Sequence, residues 1–464
     1  MKRGQGLEGD RSPRSALAIW GPIGLATLAA TASSVLIFPG FMSFDSFYVL
    51  RQSLGLTPIN DYHPVIWALV WRGLMAIART PGVLLVFDQA LYWSAVTLFA
   101  FALASRGPTR AALIAGVGFV PPMYIIALHL WPDAQMLGAL TLTVAALAAD
   151  LRRPHPAWLL IACLALLYGA MVRENAVFAL PPLGGYLAWR VAGAWRAVAR
   201  RRARATLLIL GAILSAFAAS LWSLDRVAVH ESKIGYLLVW DLAAISVARN
   251  QDLIPPYLAR TGGDDFLAAL RARFNPDLNI PIFAVVSPVP PKGDTLRLVR
   301  DWLDAIRAHP RAYLRHRWHV FATLIGLRPA VYYPFHYPGI DRNTLGIGFA
   351  FPGLYRSVIE PTFFVLAALP FYRIWLYLLI GLGLVAGSLD AMLLHRLRGE
   401  RLVLMLAVSA SGIAMQLPLF LIAPAADFRY SIWLVAASLL SGLIGLREWV
   451  DRRRRSDRQL PARR

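Results

Sequence analysis

An acidic residue, Asp45, follows the first long apolar run of the chain, within Phe-Pro-Gly-Phe-Met-Ser-Phe-Asp-Ser at residues 38–46. A carboxylate at a lipid–water boundary can act as a general base and take a proton from an attacking hydroxyl group. Partial burial there would raise its pKa toward the working range. The alternative is that Asp45 caps a short following helix, as Asp and Ser often do. The local sequence leaves both interpretations open.

A second polar group follows in Asp61-Tyr62-His63-Pro64. Asp61 or His63 could bind a phosphate, a metal ion or a substrate, whereas the alternative is again the capping of a helix. One Asp-x-His pair is a weak metal motif, because zinc and calcium sites use more ligands. The sequence therefore indicates no metal ligands, and a divalent cation is the one cofactor left open.

Three further polar groups lie between apolar runs: Asp133 after Trp-Pro, Arg173 with Glu174, and Arg429 with Tyr430. An arginine at the level of lipid headgroups is suited to hold a phosphate, because its planar guanidinium group donates parallel hydrogen bonds. The alternatives are local ones. Arg173 and Glu174 could pair with each other at the surface, and Asp133 could cap a helix.

The elements that position these groups are predicted membrane helices. Of 464 residues, 58% are hydrophobic and 16% charged, whereas about a quarter of a soluble domain is charged. The apolar residues form long blocks, and about 20 helical residues cross the roughly 30 Å of hydrocarbon. We predict an all-α integral membrane protein with about ten transmembrane helices. The predicted spans are 16–38, 82–104, 110–130, 133–150, 156–172, 176–192, 206–224, 372–394, 401–422 and 428–447.

The formal net charge of +21 follows the same pattern. Nucleic acid would explain such a charge in a soluble protein, but here the arginines cluster beside apolar blocks, as the positive-inside rule describes. We therefore expect a lipid bilayer and no nucleic acid as partner, with both termini in the cytoplasm. The clusters that mark the cytoplasmic side are the N-terminus, Arg106 and Arg110, Arg152 and Arg153, 190–204, 396–401 and 452–455.

Between two cytoplasmic clusters the chain must cross the membrane an even number of times. The interval from Phe38 to Arg106 holds two apolar stretches, which together with the first helix would make an odd number. The stretch 63–79 is short and carries Arg72 and Arg79. We predict that it is an amphipathic helix lying on the outer surface.

Residues 225–371 have mixed polarity and many prolines, which indicates an outward-facing, mostly helical soluble domain. Five parts are thus predicted along the chain. They are a cytoplasmic N-terminus (1–15), a membrane core of about seven spans (16–224) with its first outer loop at 39–81, the outer domain (225–371), C-terminal membrane helices (372–450) and a basic, disordered tail (451–464).

This topology gathers acids and arginines on one side of the membrane, because the hinges with Asp133, Arg173 and Arg429 face outward with loop 39–81. The convergence is the strongest indication of a functional site. P-loop, dinucleotide-binding, Gly-x-Ser-x-Gly and His-Glu-x-x-His motifs are absent from the sequence. ATP hydrolysis or dinucleotide chemistry by this chain alone is therefore not expected.

These motifs resemble the GT-C superfamily of membrane glycosyltransferases, which includes protein O-mannosyltransferases and lipid A aminoarabinose transferases. The resemblance covers most of residues 16–447. Many members have a second acidic residue where this chain has Ser46, which leaves metal dependence and donor geometry undecided, and no Trp-Trp-Asp-Tyr-Gly-type motif is present. The matching segments are Pro39-Gly40 before Asp45-Ser46, Asp61-Tyr62-His63-Pro64, the outer Asp133, Arg173-Glu174-Asn175 before Pro181-Pro182, and Asp427-Phe428-Arg429-Tyr430.

The resemblance implies inverting transfer of a sugar from a polyprenyl-phosphate donor to a hydroxyl group of a glycan, lipid or protein, on the outer face of the bacterial cytoplasmic membrane. Asp45 would be the catalytic base, and Asp61 and His63 would lie near the donor. Arg173 and Arg429 would contact the lipid-linked phosphate.

Asp133, Glu174 and Tyr430 complete the expected substrate-binding set. A transporter or flippase of a lipid-linked or anionic substrate is the main alternative, and a non-catalytic scaffold or polymerase partner is another. A transporter is expected to show charges near the membrane midplane, broken helices and internal repeats.

Overall fold

The structure is a computed structural model that describes residues 13–194, 201–231, 233–261, 263, 265–291, 293–328, 339–394, 397 and 399–459. Most of the predicted N-terminal segment, part of the 190–204 cluster, Arg396, Arg398 and the end of the tail (460–464) lie outside these ranges. Within the described residues the chain forms helices, turns and isolated β-bridges, with no strand. The prediction of an all-helical protein is confirmed.

The helices fall into three groups along the chain. The first group is α1 Pro13–Leu36, α2 Phe44–Ser53, α3 Val65–Ala78, α4 Val83–Leu103, α5 Gly107–Gly118, α6 Pro121–Ala127, α7 Pro132–Arg152, α8 Pro156–Val172, α9 Leu180–Ala194 and α10 Arg202–Asp225. The second group is α11 Ile234–Arg249, α12 Phe266–Arg273, α13 Thr295–Ala308, α14 Pro310–Leu324, α15 Pro352–Leu354 and α16 Glu360–Ala367. The third group is α17 Ile374–Leu393, α18 Glu400–Gln416, α19 Leu419–Ile422 and α20 Ile432–Gln459.

Seven helices in the described chain are long and apolar enough to cross a membrane. An eighth span results if α5 and α6, which are bent by 74° at a short break, are counted as one. The predicted spans 156–172 and 176–192 correspond to α8 and α9, which have 17 and 15 residues and are shorter than the other spans. The chain is therefore a helical membrane protein by composition and length, and ten crossings stay a prediction.

The central helix of the membrane region is α7, whose side chains are almost all buried. It packs against α4 on one side and α8 on the other, and it also contacts α18 and α20. Gly138 permits the close approach of α4, because a Cβ atom there would lie 2.8 Å from Leu91 Cγ. The first and third groups of helices thus share one core.

The stretch predicted to lie on the outer surface forms α3, a helix of 14 residues. At 1.5 Å per residue it extends about 21 Å, which is less than the roughly 30 Å of hydrocarbon. One face, with Trp67 and Trp71, is buried. Its length supports a non-spanning helix, and its orientation to the membrane stays a prediction.

The predicted outer domain has α11 at its centre, packed on α12, α13 and α14. Asp241 of α11 lies with its Oδ2 atom 2.5 Å from Nη2 of Arg317, and neither side chain is exposed. The Trp302 indole N–H donates a hydrogen bond of 2.9 Å to the same carboxylate oxygen. This partnership explains how an aspartate is accommodated in the middle of an apolar helix.

Substituting Arg317 with alanine is expected to destabilise the protein by about 3–5 kcal/mol, because it leaves the buried Asp241 carboxylate without its cation. The matched control is Arg307→Ala, which removes an arginine from the exposed ion pair with Asp304. That pair is expected to contribute at most about 1 kcal/mol. Thermal unfolding of the detergent-purified variants measures the difference, and equal melting temperatures would contradict the burial argument.

The outer domain is joined to the loops of the membrane region by backbone hydrogen bonds. The Asp61 N–H donates to the Val229 carbonyl (3.2 Å), and the Ala426 N–H donates to the Asp277 carbonyl (2.8 Å). Farther along the chain, the Met42 N–H donates to the Gly339 carbonyl (2.9 Å). These contacts hold loop 39–81 and the segment before α20 against the outer domain.

The predicted disorder of the tail is wrong for residues 451–459, because α20 continues to Gln459. Ion pairs one helical turn apart support this extension, with Arg447 3.1 Å from Asp451 and Arg452 2.8 Å from Glu448. Arg401 of α18 also lies 2.6 Å from Asp451. The basic tail thus begins as part of a packed helix.

Candidate functional site

The candidate site is built around a contact between two residues that are 384 positions apart in the sequence. Arg429 Nη2 donates a hydrogen bond of 2.8 Å to Asp45 Oδ2. Its Nε atom lies 2.8 Å from Asp427 Oδ2. One guanidinium group therefore bridges two carboxylates, and the Arg429 side chain is only 11% exposed.

Asp45 lies in the first turn of α2, and it does not cap that helix. Ser43 is the N-cap, and its backbone N–H donates to the Ser46 hydroxyl (3.3 Å). The Ser43 hydroxyl accepts a hydrogen bond of 2.8 Å from the Trp131 indole, and Ser46 donates to the Leu130 carbonyl (3.0 Å). Because the two serines fix the start of α2, the Asp45 carboxylate is available to Arg429.

Arg429 sits in a 3-10 turn, Phe428–Ser431, directly before α20. Asp427 caps this turn, since its Oδ1 atom accepts a hydrogen bond of 3.1 Å from the Arg429 backbone N–H. The guanidinium carbon lies 4.5 Å from the centroid of the Trp131 ring. Asp427 and Trp131 thus set both the backbone and the side-chain position of Arg429.

A second ion pair lies next to the first. Arg173 Nε is 3.1 Å from Oδ1 of Asp133, which is fully buried in the first turn of α7. The Arg173 guanidinium carbon is 4.8 Å from the centroid of the Tyr430 ring. Both local alternatives are therefore wrong. Asp133 does not cap α7, whose N-cap is Trp131. Arg173 pairs with Asp133 on another helix and not with its neighbour Glu174.

Glu174 pairs with a residue of the outer domain instead of with Arg173. Its Oε1 atom lies 2.5 Å from Nζ of Lys233, and both side chains are largely solvent-accessible. Lys233 also donates a hydrogen bond of 3.0 Å to the Asp61 carbonyl. Glu174 therefore lies at the edge of the site, where it connects the membrane region to the start of α11.

His63 lies beside Asp45, with 3.7 Å between His63 Nε2 and Asp45 Oδ1. Within the described residues this buried nitrogen has no hydrogen-bond partner. Burial lowers the pKa of His63 to about 4. The imidazole is therefore neutral at pH 7, and its Nε2 atom can accept or donate a hydrogen bond depending on its tautomer.

The expectation that burial raises the pKa of Asp45 is wrong in this geometry. Burial is the largest single effect and acts in that direction, but the charge and hydrogen bond of Arg429, with the charges of His63 and Arg173, together outweigh it, and the pKa of Asp45 lies below its ordinary value. Asp45 is thus a carboxylate at neutral pH. Its basicity is restrained by Arg429 and would increase if that arginine were drawn toward another anion.

Asp61 has its contacts on the outer-domain side of the site. It does not cap α3, whose N-cap is Pro64. Its carboxylate accepts a hydrogen bond of 2.7 Å from the Glu231 backbone N–H and lies 3.3 Å from His230 Nδ1. Ligand atoms of Asp61, Asp225 and His230 lie within 4.8 Å of one another, so these residues could hold a cation.

Aromatic residues that the sequence reasoning did not single out form a wall next to Asp45. The Tyr62 ring centroid lies 5.5 Å from that of Tyr48, 4.9 Å from that of His63 and 5.1 Å from that of Tyr236. Burial raises the pKa of Tyr62 further above its ordinary value, so its hydroxyl group stays protonated. The sequence feature that could have identified Tyr62 is its position between Asp61 and His63.

A buried acid, Asp88, was also missed. It is the sixth residue of α4, about 8 Å along the helix from its first residue. Neither carboxylate oxygen has a hydrogen-bond partner in the described chain. The sequence feature that could have identified Asp88 is its position inside a long apolar run, because ionisable residues within membrane helices usually have a function.

Together these residues form a cluster with a carboxylate, a neutral imidazole, two arginines and aromatic rings. Arg429 reaches the two carboxylates through different nitrogen atoms, Nη2 for Asp45 and Nε for Asp427. The arrangement is suited to bind a phosphate and to accept a proton close by. The sequence matches no protein-family model and none of the curated proteins with which it was compared.

Proposed function

We propose that this protein transfers a sugar from a polyprenyl-phosphate donor to a hydroxyl acceptor on a glycan, lipid or protein at the outer face of a bacterial cytoplasmic membrane. The observation that supports it most is the direct contact of Asp45 with Arg429, with Arg173 and His63 in the same site. A proton acceptor and phosphate-binding groups are the two requirements of this transfer. The resemblance to GT-C glycosyltransferases gives the same assignment.

In the proposed reaction the acceptor oxygen attacks the anomeric carbon of the donor sugar. The bond between that carbon and the phosphate oxygen breaks, and its electron pair leaves with polyprenyl phosphate. The proton of the acceptor hydroxyl passes to Asp45. Arg429 and Arg173 stabilise the negative charge that develops on the departing phosphate.

Arg429 would link donor binding to the activation of the base. In the free protein it is shared by Asp45 and Asp427. A donor phosphate adds a third anion, which weakens the hold of Arg429 on Asp45 and raises the pKa of that carboxyl toward a value useful for proton transfer. The base is then strongest when the donor is in place, which limits wasteful hydrolysis.

The lipid tail of the donor would confine its head to the level of this site, which replaces a bimolecular encounter by a local one. Tyr62, Tyr48 and Tyr236 present ring faces and hydroxyl groups against which a sugar can pack and form hydrogen bonds. If the reaction uses a divalent cation, Asp61, Asp225 and His230 are the residues that would bind it.

A transporter of a lipid-linked or anionic substrate is the second candidate function. Two observations favour it: the buried Asp88 inside α4 and the 74° bend between α5 and α6. The clustering of Asp45, His63, Arg173 and Arg429 at one end of the bundle favours the transferase. A transporter does not require a general base at that position.

The function is tested by comparing the surface glycans of a strain that lacks the gene with those of the complemented strain by mass spectrometry. A transferase is expected to leave acceptors that each lack one defined sugar, while the lipid-linked donor of that sugar accumulates on the outer side. Accumulation of the donor only on the cytoplasmic side would instead identify a flippase. Unchanged glycans and donor pools would contradict both functions.

A further inference from the structure

A cavity lies at the opposite end of the helix bundle from Asp45. It has a volume of about 710 Å³ and is enclosed by α8, α9, α10 and the start of α18. That volume lies within the roughly 300–1,000 Å³ of small-molecule binding sites. Under the predicted topology this end faces the cytoplasm, because the arginines before α8 and before α10 are there.

The walls of the cavity are apolar and its mouth is charged. Leu160 and Cys163 of α8, Leu187 of α9, and Ile209 and Ile213 of α10 contribute to the apolar lining. The charged side chains that line it are concentrated at one end. They are Asp150, Arg190, Arg202 and Glu400.

Three of these four charged residues form one ion-pair network, in which Arg190 contacts both carboxylates. Arg190 lies 2.6 Å from Asp150 and 2.5 Å from Glu400. Arg202, in contrast, forms no ion pair with a described residue. It donates one hydrogen bond of 3.1 Å to the Trp189 carbonyl and stacks on the Trp189 ring at 4.0 Å. Its buried Nε atom has no hydrogen-bond partner in the described chain.

The position of Arg202 is itself specified by the neighbouring helix. A Cβ atom on Gly193 would overlap the Arg202 guanidinium group, so glycine leaves the space that the arginine occupies. The Trp189 ring then holds the guanidinium plane in a fixed orientation. A preorganised cation that forms no ion pair with a described residue, at the mouth of an apolar cavity, matches a phosphate group with an attached hydrocarbon chain.

We propose that this cavity binds an anionic phospholipid of the cytoplasmic leaflet, with its phosphate on Arg202 and part of one acyl chain between α8 and α10. The cytoplasmic leaflet is the side rich in anionic lipids. The lipid phosphate pairs with Arg202, which forms no ion pair with a described residue, and the acyl chain fills the apolar space. The bound lipid supports the packing of α8 and α9, the two shortest helices predicted to span the membrane. This site is independent of the proposed transfer reaction.

Native mass spectrometry of the purified full-length protein tests this site, using phosphatidylglycerol and phosphatidylcholine with identical acyl chains. The wild type is expected to retain phosphatidylglycerol at concentrations about fivefold lower than phosphatidylcholine. Arg202→Gln removes this preference, and Arg202→Lys keeps part of it. The matched control is Arg204→Gln, which removes the same charge from an exposed position on the same helix and keeps the preference.

Three outcomes of this experiment would overturn the proposal: equal retention of the two lipids by the wild type, an unchanged preference in Arg202→Gln, or an equal loss in Arg204→Gln.

Millimolar inorganic phosphate separates a lipid site from a free-phosphate site. If phosphate competes as effectively as phosphatidylglycerol, the site binds free phosphate. A phosphatidylglycerol with a photoreactive acyl chain is expected to label residues 156–163 and 209–213. Labelling confined to other helices would contradict the assigned position. Asp45→Asn should bind the lipid like the wild type.

Discussion

Replacing Asp45 with asparagine is expected to lower sugar transfer by roughly 10²–10⁴-fold, the usual contribution of a general base. The amide keeps the shape of the side chain and its oxygen can still accept a hydrogen bond from Arg429, so the site should keep its geometry. It cannot take the proton of the acceptor hydroxyl. Complementation of the deletion strain with the variant, followed by quantification of the glycan product, measures the effect.

The matched control for this substitution is Asp304→Asn, which makes the same chemical change in an exposed ion pair of the outer domain. It should leave transfer within about twofold of the wild type, because exposed ion pairs contribute little. Protein amount and membrane insertion are compared for both variants. Undiminished transfer by a normally inserted Asp45→Asn protein would show that Asp45 is not the base and would leave a transporter as the better function.

Replacing Arg429 with lysine is expected to reduce transfer by roughly 10–100-fold, because a lysine keeps the charge and loses the two-sided guanidinium geometry. Arg429 reaches Asp45 through Nη2 and Asp427 through Nε at the same time. A single ammonium group cannot reproduce both contacts and also bind a phosphate. Lysine is preferred to alanine here because removing the charge would leave two carboxylates unpaired in a buried site.

The control for Arg429→Lys is Arg307→Lys at the exposed pair with Asp304, which should have no measurable effect. The double variant Asp45→Asn/Arg429→Lys is expected to be about as inactive as Asp45→Asn alone, because two groups that act as one unit are not additive. Losses that multiply would mean that the two residues act independently. That result would contradict the proposed coupling of donor binding to the base.

Helix capping, the local alternative for three of the aspartates, does not occur in the structure. Asp45, Asp61 and Asp133 each stand near the start of a helix, where capping is the common role of an aspartate. In the structure Ser43, Pro64 and Trp131 occupy those N-cap positions. The aspartates are left with contacts to residues far away in the sequence, which no local pattern could have shown.

The sequence by itself determined the class of this protein, and it predicted the side of the membrane on which the charged loops meet. Both conclusions depend on quantities that are additive along the chain: the hydropathy of each apolar run, its length, and the number of arginines in each loop. The parity of crossings between arginine clusters also predicted that the stretch 63–79 does not span the membrane, and the structure gives it a helix of 14 residues, α3.

Only the tertiary structure decided which charges are partners. Arg429 could have contacted any of the acids on its side of the membrane, and its pairing with Asp45 follows from the position of α2 against the segments that precede α7 and α20. The Asp45 pKa shift is reversed by Arg429 together with His63 and Arg173, whose combined effect outweighs the burial that the sequence suggested. Such a balance depends on distances of a few ångströms, which are set by packing between helices remote in sequence.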